Sequence, residues 1–405
     1  MRMETVIRKS LGLKAHFVME IIEVGNTLLA IVDRLGLRLL RCSCCGRKAR
    51  RTHGRACKDR EWRDLSVRDK QLVIVYRPFR VVCPTCGVRV EKLPWAAPRQ
   101  RVTDALAMAV AMLAKKLSWS EVASHYRLNW KTVAAVVKRA VACGLARRRW
   151  KPLHVLGIDE VSRSKGQKYI TLVYDLERGQ LVWIGKDRVT STMNEFFAWL
   201  GKRRRRSITV VCCDMWAIYI DAIRTNLPKA QIVFDRFHVV KHLNEAVEEV
   251  RRAMWRALHG EERIAFKRTR WLWLKNPWNL TRKESRRLSA LCRKNMPIIR
   301  AYYLKEAFQH FWDYLYEGWA RPYLKHWLWW ASHSKLEPFI KFGQMIRDHL
   351  DGILAWTKLR VSNGALEGLN NKVKSVSKRS YGFRNPETYM NAIWHACGNL
   401  PLVLE

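Results

Sequence analysis

Between residues 154 and 235 the chain alternates apolar runs with helical patterns, and the first, fourth and fifth runs end on acids. HVLGIDE (154–160), KYITLVYDL (168–176) and QLVWIGK (180–186) read as three short strands, the last two joined by a tight turn at Glu177, Arg178 and Gly179. A helical stretch, TMNEFFAWLG, precedes SITVVCCD, a nearly continuous apolar run that stops at Asp214. A second helix, AIYIDAIRTNL, precedes QIVFD, which stops at Asp235. The order βββαβαβ predicts an RNase H-like sheet whose first, fourth and fifth strands run parallel. Acids at the C-terminal ends of those strands then gather on one rim.

The charge balance makes such a rim unusual. Lys and Arg total 76 against 35 Asp and Glu, a net charge of +41, and the excess runs along the whole chain. With 48% hydrophobic residues the chain is globular, not a disordered basic tail. So many cations repel one another unless they meet a polyanion, and counterion release makes nucleic acid the expected partner. A bare carboxylate beside phosphates is repulsive unless a divalent cation lies between them. Two magnesium (or manganese) ions held by such acids suit in-line displacement at phosphorus.

Asp159 and Asp214, on adjacent strands, would supply most of that metal shell, and a third carboxylate is wanted from elsewhere. The segment SNGALEGLNNKVKSVSKRSYGF (362–383) offers one. Leu366, Leu369, Val373 and Val376 form the apolar stripe of a helix starting near Ser362 or Asn363. Asn363, Glu367, Asn370 and Lys374 share another face, where Glu367 suits metal ligation and its neighbours suit substrate phosphates. Among competing acids, Glu160 should point to the opposite face of its strand from Asp159. Asp235, with His238, is a candidate ligand or supporting pair, and Asp175 and Glu177 are expected to be solvated at their hairpin.

Two cysteine pairs, Cys42-Ser-Cys-Cys45-Gly and Cys83-Pro-Thr-Cys86-Gly, place thiolates on tight turns that the following glycines allow. Bridged by the β-prone run QLVIVYRPFRVV, they predict a zinc ribbon over 39–98 with one structural zinc. Cys44, Cys57 and His53 are candidate substitutes as ligands. Eleven cysteines, without an apolar signal segment at MRMETVIRKSLGLK, point to reduced thiols and a cytoplasmic setting. The longest apolar run, Ala105 to Ala114, is far short of the roughly 18–20 residues needed to span a membrane.

LSWSEVASHYRLNWKTVAAVVKRAV (117–141) has the pattern of a helix-turn-helix. Ser118 or Ser120 can cap the first helix and Asn129 the second. The second helix would bury Val133, Val136, Val137 and Ala140, and present Trp130, Lys131, Thr132, Lys138 and Arg139 to a major groove.

The organisation expected is an N-terminal segment (1–38), the zinc ribbon (39–98) and a helix-turn-helix domain (99–150). The first part of the catalytic core (151–245), a helical insertion (246–345) and the last part of the core with the Glu367 helix (346–405) complete the chain. The insertion holds nine of the nineteen tryptophans, which either form an aromatic core or stack on unpaired bases.

GIDE, CCDMW, FDRFHVVKHLNEA and SNGALEGLNNKVKSVSKRSYGFRN resemble blocks of bacterial insertion-sequence transposases of the ISL-three type. The resemblance runs from Arg41 onward. It implies a zinc-binding segment, a helix-turn-helix and a DDE core, with Asp159, Asp214 and Glu367 as the catalytic trio and Cys42, Cys45, Cys83 and Cys86 on zinc. It further implies an enzyme that binds terminal inverted repeats, hydrolyses phosphodiesters there and joins 3′-hydroxyl ends to target DNA. Such an enzyme would act as a homodimer or larger assembly on paired ends, near the nucleoid. The rivals are a zinc-containing regulator or decayed transposase that only binds DNA, and an RNase H-like nuclease without joining activity.

Overall fold

The computed structural model describes residues 11–37, 40–49, 51–164, 168–294, 296–361, 364 and 367–404. The chain divides into two compact units, Met1–Arg149 with Lys378–Glu405, and Trp150–Ser377. No helix among the described residues is long and apolar enough to cross a membrane.

The first unit opens with a hairpin, β1 (His16–Val24) and β2 (Thr27–Arg34). This hairpin is not a separate N-terminal segment, because β2 pairs in parallel with β5 (Gln71–Tyr76), and β4 (Arg60–Arg63) completes a sheet of order β1-β2-β5-β4. A second sheet, β3-β6-β7, is built from Arg51–Arg55, Phe79–Cys83 and Gly87–Val90. The run QLVIVYRPFRVV is therefore split between two sheets at Arg77-Pro78. Proline has no amide to donate to a ladder, so pairing breaks at Pro78. The four-stranded sheet packs around an aromatic box in which buried His16 meets Tyr76 and Trp95 edge-on at 5.0 and 4.7 Å.

Three helices come next in the first unit: α1 (Asp104–Ala114), α2 (Trp119–His125) and α3 (Trp130–Arg147). Ser118 and Glu121 form a reciprocal capping box on α2, and the Asn129 side chain caps α3. The helix Pro386–Cys397 joins this unit, with His395 Nε2 donating to the Ala111 carbonyl at 2.7 Å. Gly144 makes room for the chain end, since a Cβ there would lie 2.8 Å from Leu400 Cβ and 3.0 Å from the Pro401 carbonyl oxygen. Of the segment 346–405 expected in the core, residues from Lys378 onward thus cluster with the first unit.

The second unit holds a sheet of order β10-β9-β8-β11-β12. Its strands are β8 (Val155–Ser164), β9 (Lys168–Asp175), β10 (Gln180–Lys186), β11 (Val210–Cys213) and β12 (Gln231–Phe234). β8, β11 and β12 are mutually parallel, and β9 and β10 are antiparallel additions. The helices α4 (Thr190–Arg205) and α5 (Ala217–Asn226) bury Phe196, Phe197, Tyr219 and Ile223 in a core shared with Leu156, Val173 and Val211.

Between Arg236 and Leu359 every described element is a helix, beginning with α6 (Arg236–Ala257) directly after Asp235. The expected insertion limits at 245 and 345 both fall inside continuous helices. Trp273, Trp312 and Trp327 are buried in the aromatic core, whereas Trp271, Trp278, Trp319 and Trp329 are exposed.

Burial holds His16 and His395 in the neutral form, lowering each pKa to about 4 from an ordinary 6.5. Between those values the unfolded chain binds more protons than the folded one, so stability is full above pH 6.5 and falls as pH drops towards 4. Each histidine should account for about 3 kcal/mol of that loss. His395→Gln keeps an N–H donor for Ala111 but cannot titrate, so denaturant unfolding between pH 7 and 4 should show a shallower acid loss. An unchanged acid limb would contradict this.

Candidate active site and DNA-contacting helix

The parallel register brings three acids level at one rim of the sheet. Gly157 on β8 pairs with Cys212 on β11, and Cys213 pairs with Phe234 on β12. Asp159 and Asp214 lie two residues past the first of these pairs, and Asp235 stands one past Phe234, beside Asp214. Strand polarity alone therefore collects the carboxylates.

Each is held differently. The Asp159 carboxylate accepts from the Glu160 amide at 2.7 Å and from Asn370 Nδ2 at 2.5 Å. Burial nevertheless pushes its pKa above the usual carboxylate value, against the pull of those hydrogen bonds and of His238. Asp235 is almost fully buried and accepts from His238 Nδ1 at 3.1 Å, while His238 Nε2 lies 3.9 Å from Asp214 Oδ2. The hydrogen bond to Asp235, with the neighbouring charges of Asp214 and Asp159, raises the His238 pKa to about 9. One imidazolium thus stands among three carboxylates. This hard oxygen-donor set, short of positive charge, fits magnesium or manganese.

Glu160 faces the other side of β8, bonded to Arg188 at 2.9 Å and to the Tyr219 hydroxyl at 3.2 Å. The Arg188 guanidinium also lies over the rings of Tyr169 and Trp216, at 4.1 and 4.9 Å. Asp175 is buried, not solvated. It accepts from the Glu177 and Arg178 amides and from Arg178 Nη1 at 2.6 Å, closing the turn after β9.

Glu367 is the first residue of the helix Glu367–Arg379 and is exposed, as is Lys374. Asn363 lies outside the described residues. Asn370, expected to contact DNA, turns inward. Its Nδ2 donates to Asp159, its Oδ1 accepts from the Tyr174 hydroxyl at 2.8 Å, and the side chain is buried. The clue in the sequence was its place one turn before Val373, at the border of the apolar stripe. Asp159, Asp214 and Glu367 do not draw together as tightly as the cysteines. Among the described residues, Cys42, Cys45, Cys83 and Cys86 form the group whose ligand atoms all lie within 4.8 Å.

Those thiols sit on two knuckles in which Gly46 (φ +72°) and Gly87 (φ +70°) take the left-handed conformation. Cys45 Sγ lies 3.5 Å from Cys83 Sγ. Cys44 is exposed and outside the group, and its amide donates to Cys42 Sγ at 3.4 Å. Amides of Cys86 and Thr85 lower the Cys83 pKa to about 7, whereas the neighbouring thiols of Cys45 and Cys44 push that of Cys86 upward. Four sulfurs at two knuckles, all within one ion's reach, fit zinc.

On α3, Val133, Val136, Val137 and Ala140 are buried, Trp130, Lys131 and Lys138 are exposed, and Thr132 is half-buried. Arg139 departs from the sequence expectation. Its Nη2 donates to Asp104 at 2.5 Å and to the Leu404 carbonyl, so it ties α3 to α1 and to the chain end instead of facing a groove.

A family model described as "Transposase" matches residues 156–393, and one described as "Helix-turn-helix domain of transposase family ISL3" matches 91–141. The chain is 33% identical over 369 residues to the transposase for insertion sequence element IS1001 of Bordetella parapertussis, covering 90% of each. It is 31% identical over 418 residues to the transposase for insertion sequence element IS1557 of Mycobacterium tuberculosis (strain ATCC 25618 / H37Rv), covering 96% of this chain and 94% of that protein.

The contrast on α3 is testable. Arg139→Ala strands Asp104 and should destabilise the first unit by about 1–3 kcal/mol, as for a part-buried charged hydrogen bond. Lys131→Ala should change stability by less than about 0.5 kcal/mol. Urea unfolding of both variants checks this, and equal losses would remove the distinction.

Proposed function

The chain belongs to the ISL3 family of insertion-sequence transposases, and on that premise we propose that it binds the terminal inverted repeats of its element, cuts there and joins the ends to new DNA. A helix-turn-helix DNA-binding segment and a DDE transposase domain are the parts that family membership supplies. The finer reading assigns Asp159, Asp214 and Glu367 as the catalytic trio of an RNase H-like core. The observation that carries it is the level register of Asp159 and Asp214 on parallel strands, with Asn370, one turn past Glu367, bonded to Asp159.

In the first step water attacks phosphorus and the bond to the 3′ oxygen breaks, leaving a 3′-hydroxyl and a 5′-phosphate. In the second, that hydroxyl attacks a target phosphodiester, expelling the target's own 3′ oxygen as a new hydroxyl. Divalent ions, when bound, would supply nucleophile activation and charge neutralisation at phosphorus. The chain's own part is to hold the carboxylates level, to keep Asp159 oriented through Asn370, and to balance the rim charge with His238. Asp235, buried against His238, acts as a supporting group. Lys131, Thr132, Trp130 and Lys138 contact the end DNA, with Lys374 on substrate phosphates, and paired ends call for a homodimer or larger assembly. Cys42, Cys45, Cys83 and Cys86 hold one structural zinc.

Glu367→Gln, Asp159→Asn and Asp214→Asn should each abolish nicking and strand transfer of labelled end DNA with magnesium or manganese, while binding persists. Combining them should add little, as for residues acting as a unit. Glu160→Gln, which loosens Arg188 and Tyr219, should be much milder. Near-normal nicking by Glu367→Gln would remove that residue from the trio, and nicking without joining products would favour a nuclease. Purified protein should carry about one zinc per chain, lost in the Cys83→Ser, Cys86→Ser double variant, by elemental analysis. Full metal retention there would overturn the zinc assignment.

A further inference from the structure

The first unit contains a cleft of about 900 Å³ that the helix-turn-helix does not use. Arg60 on β4, Arg89 on β7, and Arg99 and Arg101 in the loop before α1 line it, with Trp62 in its wall. Among the described residues none of these four arginines pairs with a carboxylate. The acid in the lining, Glu91, is already spent. One oxygen accepts from Arg34 at 2.6 Å, the other from the Tyr76 hydroxyl at 2.7 Å and the Phe79 amide at 2.8 Å, and its side chain is fully buried. The cleft is therefore a concave surface with four guanidiniums and no free carboxylate in its own lining; Asp59, which faces Arg77, and Glu61 lie beside Arg60 and Arg101 in the adjoining groove. Such a concentration of like charge is costly until a polyanion enters.

The occupant is indicated by where the cleft sits. Strand β4 supplies Arg60 and Trp62 to the cleft, and its next residue, Arg63, donates from Nη2 to the Tyr126 carbonyl at the turn between α2 and α3 (3.3 Å). The Arg63 amide also bonds the Arg101 carbonyl at 2.9 Å, and the Thr103 amide bonds the Arg63 carbonyl at 2.8 Å. One strand thus joins the cleft to the element that enters the major groove. We propose that the Arg60–Arg89–Arg99–Arg101 cleft grips the phosphate backbone of DNA adjoining the segment read by α3, so that the β-rich module extends the footprint without reading bases. Guanidinium forks suit phosphate oxygens, and contacts of this kind position the protein irrespective of sequence.

The inference rests on the DNA-binding reading above, and the test separates the two. Full-length protein is titrated onto end DNA at several salt concentrations, and hydroxyl-radical footprints are mapped on a duplex extending well beyond the repeat. Arg89→Gln with Arg99→Gln, both at exposed positions, should lower the slope of log K against log salt by about 2, roughly 0.9 for each phosphate no longer neutralised. The footprint should shorten at one edge while protection by α3 persists, and specific and non-specific affinity should fall together. The variant with all four positions changed should lose about twice as much slope. Should that variant unfold, because Arg101 lies over Trp62, the double variant still decides. An unchanged slope and footprint, including the outcome that the cleft takes an acidic protein partner, overturns the proposal. Lys131→Ala run alongside should reduce specific binding more than non-specific binding. Its failure to do so would instead count against DNA recognition by α3.

Discussion

Asn370 and Asp159 stand 211 residues apart in the chain, and the hydrogen bond between them links a helix to the acidic rim of a sheet. A buried carboxylate is disfavoured in its charged form unless donors or cations reach it. Asp159 has two donors and still has a raised pKa, so its environment favours a further positive partner. Tyr174 completes the clamp by fixing the amide orientation of Asn370, so that the nitrogen and not the oxygen faces the carboxylate. The helix that begins with Glu367 is thereby seated by an uncharged residue, which leaves the acid at its start exposed.

Most of the buried acids share one arrangement. Several buried acids away from the rim are paired with cations where they stand: Glu91 with Arg34, Asp175 with Arg178, and Glu248 with Arg251 and Arg252, while Asp64 is held by the Thr103 hydroxyl and the Leu65 amide. Much of the +41 excess is then left for the surface, where it can act on a polyanion. At the rim the pattern reverses, with three acids and one histidine. On so basic a chain an acidic rim repels phosphate unless a cation lies between them.

The first unit contains a β module with little apolar core of its own. The knuckle sheet buries a core of little more than Leu40, Cys42, Ala49, Val81 and Cys83, too small to hold a fold by apolar burial alone. Four thiols converge in it, whereas the neighbouring sheet has a larger apolar core around the aromatic box of Tyr76 and Trp95. The tryptophan-rich region has no such deficit, since Trp273, Trp312 and Trp327 fill its interior.

The amino-acid sequence by itself determined the alternation of strands and helices from 154 to 235, the two glycine-ended cysteine knuckles, and the capped helices of the DNA-binding segment. Each is encoded locally, in period-two or continuous apolar runs, in spacing on a turn, or in a cap beside its helix. The Glu160 side chain could likewise be assigned to the face opposite Asp159 from strand alternation alone. Long-range partners decided the rest. Arg139 reads as an exposed cation until Asp104 and the Leu404 carbonyl claim it, and Asn370 reads as a phosphate contact until Asp159 and Tyr174 do. The pairing of β2 with β5 and the packing of the C-terminal helix on the first unit also join segments far apart in the chain. Periodicity tells which face of an element is apolar, but which distant polar group waits opposite a given side chain exists only once the tertiary structure has formed.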